Sequence, residues 1–156
     1  MLFETPEQQD ERFMRIALQE ASQAAEEGEI PVGAVIVQDG QLIARAHNMT
    51  ERLRDVTAHA EMQAITAAAM TLGGKYLQGC TLYVTVEPCP MCAGAIGWAQ
   101  VPRVVWGTSD SKRGYTTLTP ATGAQSPLHP KATVTSGILE EDCRSLITDF
   151  FRSRRR

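Results

Sequence analysis

Two cysteines three positions apart, Cys89 and Cys92, stand in "VTVEPCPMCAGAI" (84–96), where a β-branched apolar run meets a run of small residues. A Cys-x-x-Cys pair inside a cell reads either as a thioredoxin-like redox couple or as half of a metal site. The redox couple needs no further donors; a zinc site does. The chain holds three histidines, His47, His59 and His129. His59 stands in "TAHAEM", at the start of an expected helix, with Glu61 two residues on. Side chains two apart on a helix flank diverge, yet at a helix N-terminus both reach a point just off its end. The same holds for Cys89 and Cys92 around the first turn of the next helix. Two helix starts aimed at one point would offer one imidazole and two thiolates to a zinc ion, and the partial positive charge of each start favours the thiolate form.

Three protein ligands leave the fourth tetrahedral position to water, the mark of a catalytic zinc rather than a structural one. Zinc can bring the pKa of such a water near 7. Glu61 would then take a proton from the water and hand it to a leaving amine. Singly, His59 is a helix-start residue, Glu61 a first-turn carboxylate and the cysteines a redox pair. Together, on two expected helix starts, they favour a zinc hydrolase.

The elements that must carry these residues follow from periodicity. Residues 10–27 predict a helix, with Phe13, Ile16, Ala17, Ala21 and Ala24 at helical spacing and Gly28 as its stop. A buried strand over 31–37, an Asp39-Gly40 turn and a returning strand over 42–47 predict a hairpin. After a polar loop over 48–57, Thr57 is the expected cap of a helix over 58–72, with Met62, Ile65, Ala69 and Leu72 on one face. A strand over 81–86, a helix opened by Pro90 and running to 99, and a strand over 103–107 come next. A long Gly/Pro/Thr-rich loop (108–131), a short strand (132–136) and a helix over 139–155 complete the chain, the helix turning Leu139, Cys143, Leu146, Ile147 and Phe150 inward. This order predicts an α/β fold, a mixed sheet with helices on both faces, helix-linked strands parallel and the hairpin antiparallel. Neither a repeat nor a low-complexity linker interrupts residues 1–156, so a single domain is expected.

The 156 residues suffice for one core, and 43% hydrophobic with 21% charged residues fits a globular protein. A formal charge of -3 excludes a generally basic nucleic-acid coat and leaves one dense cationic stretch, "RSRRR" (152–156). The opening "MLFETPEQQDERF" lacks the basic and apolar regions of a secretory signal, and no run approaches the roughly 18 apolar residues of a membrane span. A cytoplasmic protein without membrane contact is expected, where disulfides are uncommon. Cys80 and Cys143 read as small buried apolar side chains.

"HAE…PCPMC" resembles the signature of zinc-dependent nucleoside and nucleobase deaminases. "EIPVGAVIV", "ARAHN", "TAHAEM", "GCTLYVTVEPCPMCAGAI", "RVVWG", "GIL" and "DFFRSRRR" look, in order and spacing, like the bacterial tRNA adenosine deaminase family across nearly the whole chain. The resemblance implies a cytidine-deaminase-like three-layer α/β/α fold around a five-stranded mixed sheet. It implies a homodimer that converts the wobble adenosine of a tRNA anticodon arm to inosine, with one Zn2+ per chain. It makes His59, Cys89 and Cys92 the zinc ligands and Glu61 the proton shuttle. Asn48 matches a residue that hydrogen-bonds the base, its alternative being a turn residue after a strand. Val32 and Ala34 match the base pocket and otherwise read as core strand. Asp110 matches a residue at the nucleotide backbone, its alternative being a turn or cap. Phe151 and Arg152 match the RNA-binding edge, and the basic tail fits phosphate contact or, alternatively, the dipole of a helix end. One segment departs from the family: "TTLTPATGAQSPLHPK" (116–131) places His129-Pro130-Lys131 where an Asn-His-Arg ending is usual. This bears on substrate identity more than on the chemistry.

Two other functions stay open at this point. A free-base or nucleoside deaminase of guanine or cytosine type would share the site and lack the RNA contacts. A zinc-stabilised RNA-binding module would close the metal with a fourth protein ligand, for which Glu61 is the candidate. The small residues Ala93, Gly94, Ala95, Gly97 and Ala99 allow close approach of a partner chain or of a neighbouring element.

Overall fold

The structure, a computed structural model, describes residues 3–120 and 122–154. Arg155 and Arg156 of the basic tail lie outside the described residues, as does the end of the helix expected to reach 155. Eleven elements follow one another: α1 (Pro6–Glu26), β1 (Gly33–Gln38), β2 (Gln41–His47), α2 (Thr50–Leu53), α3 (Ala60–Leu72), β3 (Cys80–Val86), α4 (Pro90–Trp98), β4 (Arg103–Thr108), α5 (Tyr115–Leu118), β5 (Thr133–Thr135) and α6 (Glu140–Arg154).

The five strands form one mixed sheet in the order β2-β1-β3-β4-β5. The hairpin β1–β2 is antiparallel, and both its turn residues, Asp39 (φ 51) and Gly40 (φ 74), are left-handed, the twist such a turn needs. β3 and β4, joined by α4, pair in parallel, and β5 adds to β4 in parallel. β1 enters between β2 and β3, antiparallel to both, so these two helix-linked strands run in the same direction without touching. Period-two alternation divides the core into two layers. Ala34, Ile36, Leu82, Val84, Val104 and Trp106 face α3 and α4, while Val35, Val37, Tyr83 and Val105 face α1 and Cys143 of α6. The expected three-layer α/β/α arrangement is therefore the observed one.

The differences from expectation lie at element ends and faces. α1 begins at Pro6, because Thr5 and Gln8 form a capping box ahead of that proline. α3 begins at Ala60 with His59 at the N-cap, so Thr57 is not the cap. Thr57 instead gives its N–H and its hydroxyl to Asp55 Oδ1, at 2.8 and 2.7 Å, in a local turn. The buried face of α3 is Ala60, Glu61, Ala64 and Ala68, not Met62, Ile65, Ala69 and Leu72. Alanines let the helix lie close on β1 and β2, and the larger side chains are displaced to the flanks, with Leu72 exposed. In α6 only Cys143 is buried; Leu146, Ile147 and Phe150 are half-covered.

Candidate active site and metal centre

The N-termini of α3 and α4 meet at the carboxyl-terminal end of β3. His59 is the N-cap of α3 and Cys89 the N-cap of α4, both in extended backbone, and neither caps its own helix through its side chain. Those side chains are free to aim past the helix ends. Their donor atoms and Cys92 Sγ lie within 4.8 Å of one another. His59 Nδ1 stands 3.4 Å from Cys92 Sγ and 3.8 Å from Cys89 Sγ. A tetrahedral zinc with usual bond lengths sets nitrogen and sulfur about 3.5 Å apart. The donor set and its spacing fit zinc, and all four cysteines are free thiols.

Glu61 is buried in the first turn of α3 beside this triad. Its carboxylate is not part of the three-residue donor cluster found among the described residues. The cluster therefore offers three donors, where a closed structural zinc centre takes four. Burial, opposed by the charge of His59, pushes the Glu61 carboxyl up to about 7. Hydrogen bonding by Cys92 pulls the Cys89 thiol down to about 4 despite burial, with His59 assisting. The same bond and burial push Cys92 upward. The hydrogen bond to Cys89 raises His59 above its ordinary value. Among the described residues these groups form a polar centre able to hold a cation and to move a proton next to it.

A cavity of about 250 Å3 opens over the centre, lined by Ile30, Val32, Asn48, His59, Glu61, Val86, Glu87, Cys89, Asp110 and Arg113 among others. Asn48 is buried, and its Oδ1 accepts the N–H of Ala60 at 2.8 Å, tying the end of the hairpin to the start of α3. A groove of about 570 Å3 continues from it, sharing Ile30, Val32, Val86, Asp110 and Arg113 and adding Lys112, Arg144, Ile147 and Phe151.

Of the residues singled out in the sequence, the structure brings His59, Glu61, Cys89, Val32, Asn48 and Asp110 to one cavity, with Cys92 completing the triad at its base. Phe151 lines the adjoining groove, and Arg152 stands beside it, next to Thr148. Ala34 is fully buried in the sheet's core with Val84 and Ala93 and does not line the cavity. Asp110 Oδ1 accepts the N–H groups of Lys112 and Arg113, so the turn reading of this residue holds alongside its place on the cavity wall. Sequence reasoning missed Ile30, Val86, Glu87 and Arg113. Val86 and Glu87 immediately precede the cysteine motif, which is the one signal that could have placed them.

Residues 7–108 match the family described as the cytidine and deoxycytidylate deaminase zinc-binding region. The chain is 46% identical over 148 residues to the tRNA-specific adenosine deaminase of Bacillus subtilis, covering 95% of this chain and 92% of that one. It superposes with a TM-score of 0.79 on a structure from work on A-to-I editing by tRNA:A34 deaminases, at 43% identity over 86% of this chain and 98% of the other. A guanine deaminase from Bacillus subtilis is a further structural neighbour, with a TM-score of 0.61 and 41% identity, covering 69% of this chain and 66% of that one. Fold and site thus define a zinc-dependent deaminase. Within that class, the chain belongs to the tRNA-specific adenosine deaminase family.

Proposed function

We propose that this chain converts adenosine to inosine at the wobble position of a tRNA anticodon arm, by zinc-dependent hydrolytic deamination. The observation that carries the reading is the convergence of His59, Cys89 and Cys92 beside a buried carboxylate that is not one of the donors. His59, Cys89 and Cys92 would hold one zinc per chain. When bound, it supplies a Lewis acid that activates a water for attack on the base. Glu61 takes the water's two protons in turn at its carboxylate and passes one to the adjacent ring nitrogen and one to the exocyclic nitrogen, whose C–N bond breaks to release ammonia as the C=O forms. Its raised pKa suits both halves of that transfer near neutral pH.

The flipped base enters the small cavity between Ile30, Val32 and Val86, whose apolar surfaces face a purine ring. The Oδ1 of Asn48 is held by Ala60, which directs the amide nitrogen to the base. Ala34 supports this wall from the core. Asp110, Phe151 and Arg152 border the flanking nucleotides, and Lys112 and Arg113 supply cations for phosphates along the groove. The chain acts as one cytoplasmic deaminase domain over 1–156 and as a homodimer. Support for the dimer comes from α4, where Met91, Gly94, Ala95 and Trp98 fall on one outward face at helical spacing. Trp98 is 84% exposed there, and a side chain at Gly94 would meet nothing within 4 Å.

A free-base deaminase has one observation in its favour, the likeness to a guanine deaminase, whose substrate would need only the small cavity. Incubation of the zinc-loaded protein with an adenine-containing anticodon stem-loop, and separately with free guanine, distinguishes the two. Inosine in the stem-loop with guanine unchanged is the expected result. Guanine turnover with an unaltered stem-loop would move the substrate assignment to a free base.

A further inference from the structure

We propose that Glu87, one residue ahead of the Pro-Cys motif, is the positioning residue of the substrate groove: its buried carboxylate fixes the loop 109–116 and so sets where Lys112 and Arg113 present their charges. The inference rests on the RNA reading above and deepens it.

Glu87 is 4% exposed, a rare state for a carboxylate, which must have its oxygens satisfied when it is taken out of water. Every hydrogen bond recorded for its side chain comes from that one loop. Oε1 accepts the N–H of Asp110 at 3.1 Å, and Oε2 accepts the N–H and the hydroxyl of Thr116 at 2.9 and 2.6 Å. The two oxygens thus hold the start of the loop and the helical turn α5 that closes it. The loop is wrapped so closely that a Cβ on Gly114 would lie 2.3 Å from the carboxylate. Two backbone bonds complete the clamp: Tyr115 N–H to the Pro88 carbonyl at 2.9 Å, and Glu87 N–H to the Thr108 carbonyl, also at 2.9 Å.

Between the anchored ends, Asp110 Oδ1 gathers the N–H groups of Lys112 and Arg113. Asp110 and Arg113 line both the cavity over the zinc ligands and the long groove, and Lys112 lines the groove. A carboxylate that only stabilised the fold would draw donors from whichever elements pack around it. This one draws them from one segment, which carries Lys112 and Arg113 to the site's mouth, and its own backbone continues directly into Cys89. The ligand and the loop are therefore held in fixed relation by one side chain. A phosphate chain meeting Lys112 and Arg113 is placed relative to the reacting base by Glu87, whose carboxylate oxygens are taken up by the loop.

The test is steady-state deamination of an anticodon stem-loop by the zinc-loaded protein. Glu87→Gln keeps the shape but turns a donor toward a backbone N–H. It should keep its zinc, raise KM on the order of tenfold and leave kcat within about twofold. Thr116→Val, which removes only the hydroxyl donor and spares the fold, should move KM in the same direction by less. In a background of Lys112→Ala with Arg113→Ala, Glu87→Gln should raise KM no further, because the groups it positions are gone. An unchanged KM in both variants would overturn the proposal. So would an equal rise without the two cations, or a fall in kcat with loss of zinc, since each marks a role in the fold or the metal site alone. If the unaltered protein leaves the stem-loop untouched, the RNA reading itself has failed and this inference with it.

Discussion

His47 lies between two carboxylates, its Nδ1 2.9 Å from Glu20 and its Nε2 3.1 Å from Glu27. Burial disfavours the charged ring, but the hydrogen bonds of Glu20 and Glu27 outweigh it and raise the pKa above its ordinary value. A group whose pKa is raised by folding contributes stability that is present in full below its unfolded pKa, near 6.5, and is lost as pH climbs through the folded value. The melting-temperature gap between the parent and His47→Gln should therefore be widest below about pH 6.5 and narrow as pH rises. A gap that widens toward alkaline pH would contradict the ion pair. At this scale the sequence was most legible where chemistry is scarce. Few histidines and cysteines are present, so the spacing of His59, Glu61, Cys89 and Cys92 left little choice. Glu87 was illegible for the opposite reason. It reads as an ordinary strand-end acid, and its partners come 23 and 29 positions later, in a loop with no periodic signal.

Helix α1 is fastened across the sheet by Asp10, which accepts two hydrogen bonds from Arg103 of β4, at 2.8 and 2.7 Å, and one from Tyr83 of β3, at 2.7 Å. Burial alone would raise the Asp10 pKa, and these three donors more than reverse it. Breaking a buried pair by removing one partner costs several kcal/mol, because the other charge is left behind. The Arg103 side chain keeps 33% exposure and can recover some hydration. Asp10→Ala should accordingly lose about 3 kcal/mol in denaturant unfolding, the low end for such pairs. The contribution belongs to the ionised acid, so it is present above the unfolded pKa near 3.9 and fades as pH falls through the lowered native value. The existence and order of the long elements were legible in apolar periodicity. Their faces were less so: a stripe of alanines in α3 carries a weak signal, and Met62 and Ile65 drew the expected face away from the small residues that make the contact. The short α2 and α5 were missed because four residues give no period to read.

At the scale of the whole molecule, the two core layers leave α4 with one face in the protein and one in solvent. Ala93 and Ile96 pack inward, and Gly97 lies so close to the Pro127 carbonyl that a Cβ there would overlap it at 1.9 Å. The small residues of this helix thus serve two ends, Gly97 a neighbouring loop of the same chain and Gly94 an open outer surface. Replacing the exposed Trp98 by glutamate (Trp98→Glu) places a charge at the centre of the proposed dimer contact without touching the core. Sedimentation at micromolar concentration should show the parent as a dimer and the variant as a folded monomer. A monomeric parent would remove the dimer from the account. Sequence alone offered both uses for these small residues, since only the packed structure shows which side of α4 the loop 108–131 covers.

The most direct test of the account joins zinc content to chemistry in one sample. Glu61→Gln protein, isostructural at the buried site, is assayed for bound zinc and for inosine formed in an anticodon stem-loop. Three ligands that do not include Glu61, with Glu61 as the proton carrier, predict about one zinc per chain, as in the parent, and turnover lower by a factor on the order of 10² or more. Zinc lost together with activity would make Glu61 part of the metal shell, and full zinc with undiminished turnover would remove its place in the reaction; either result contradicts the account.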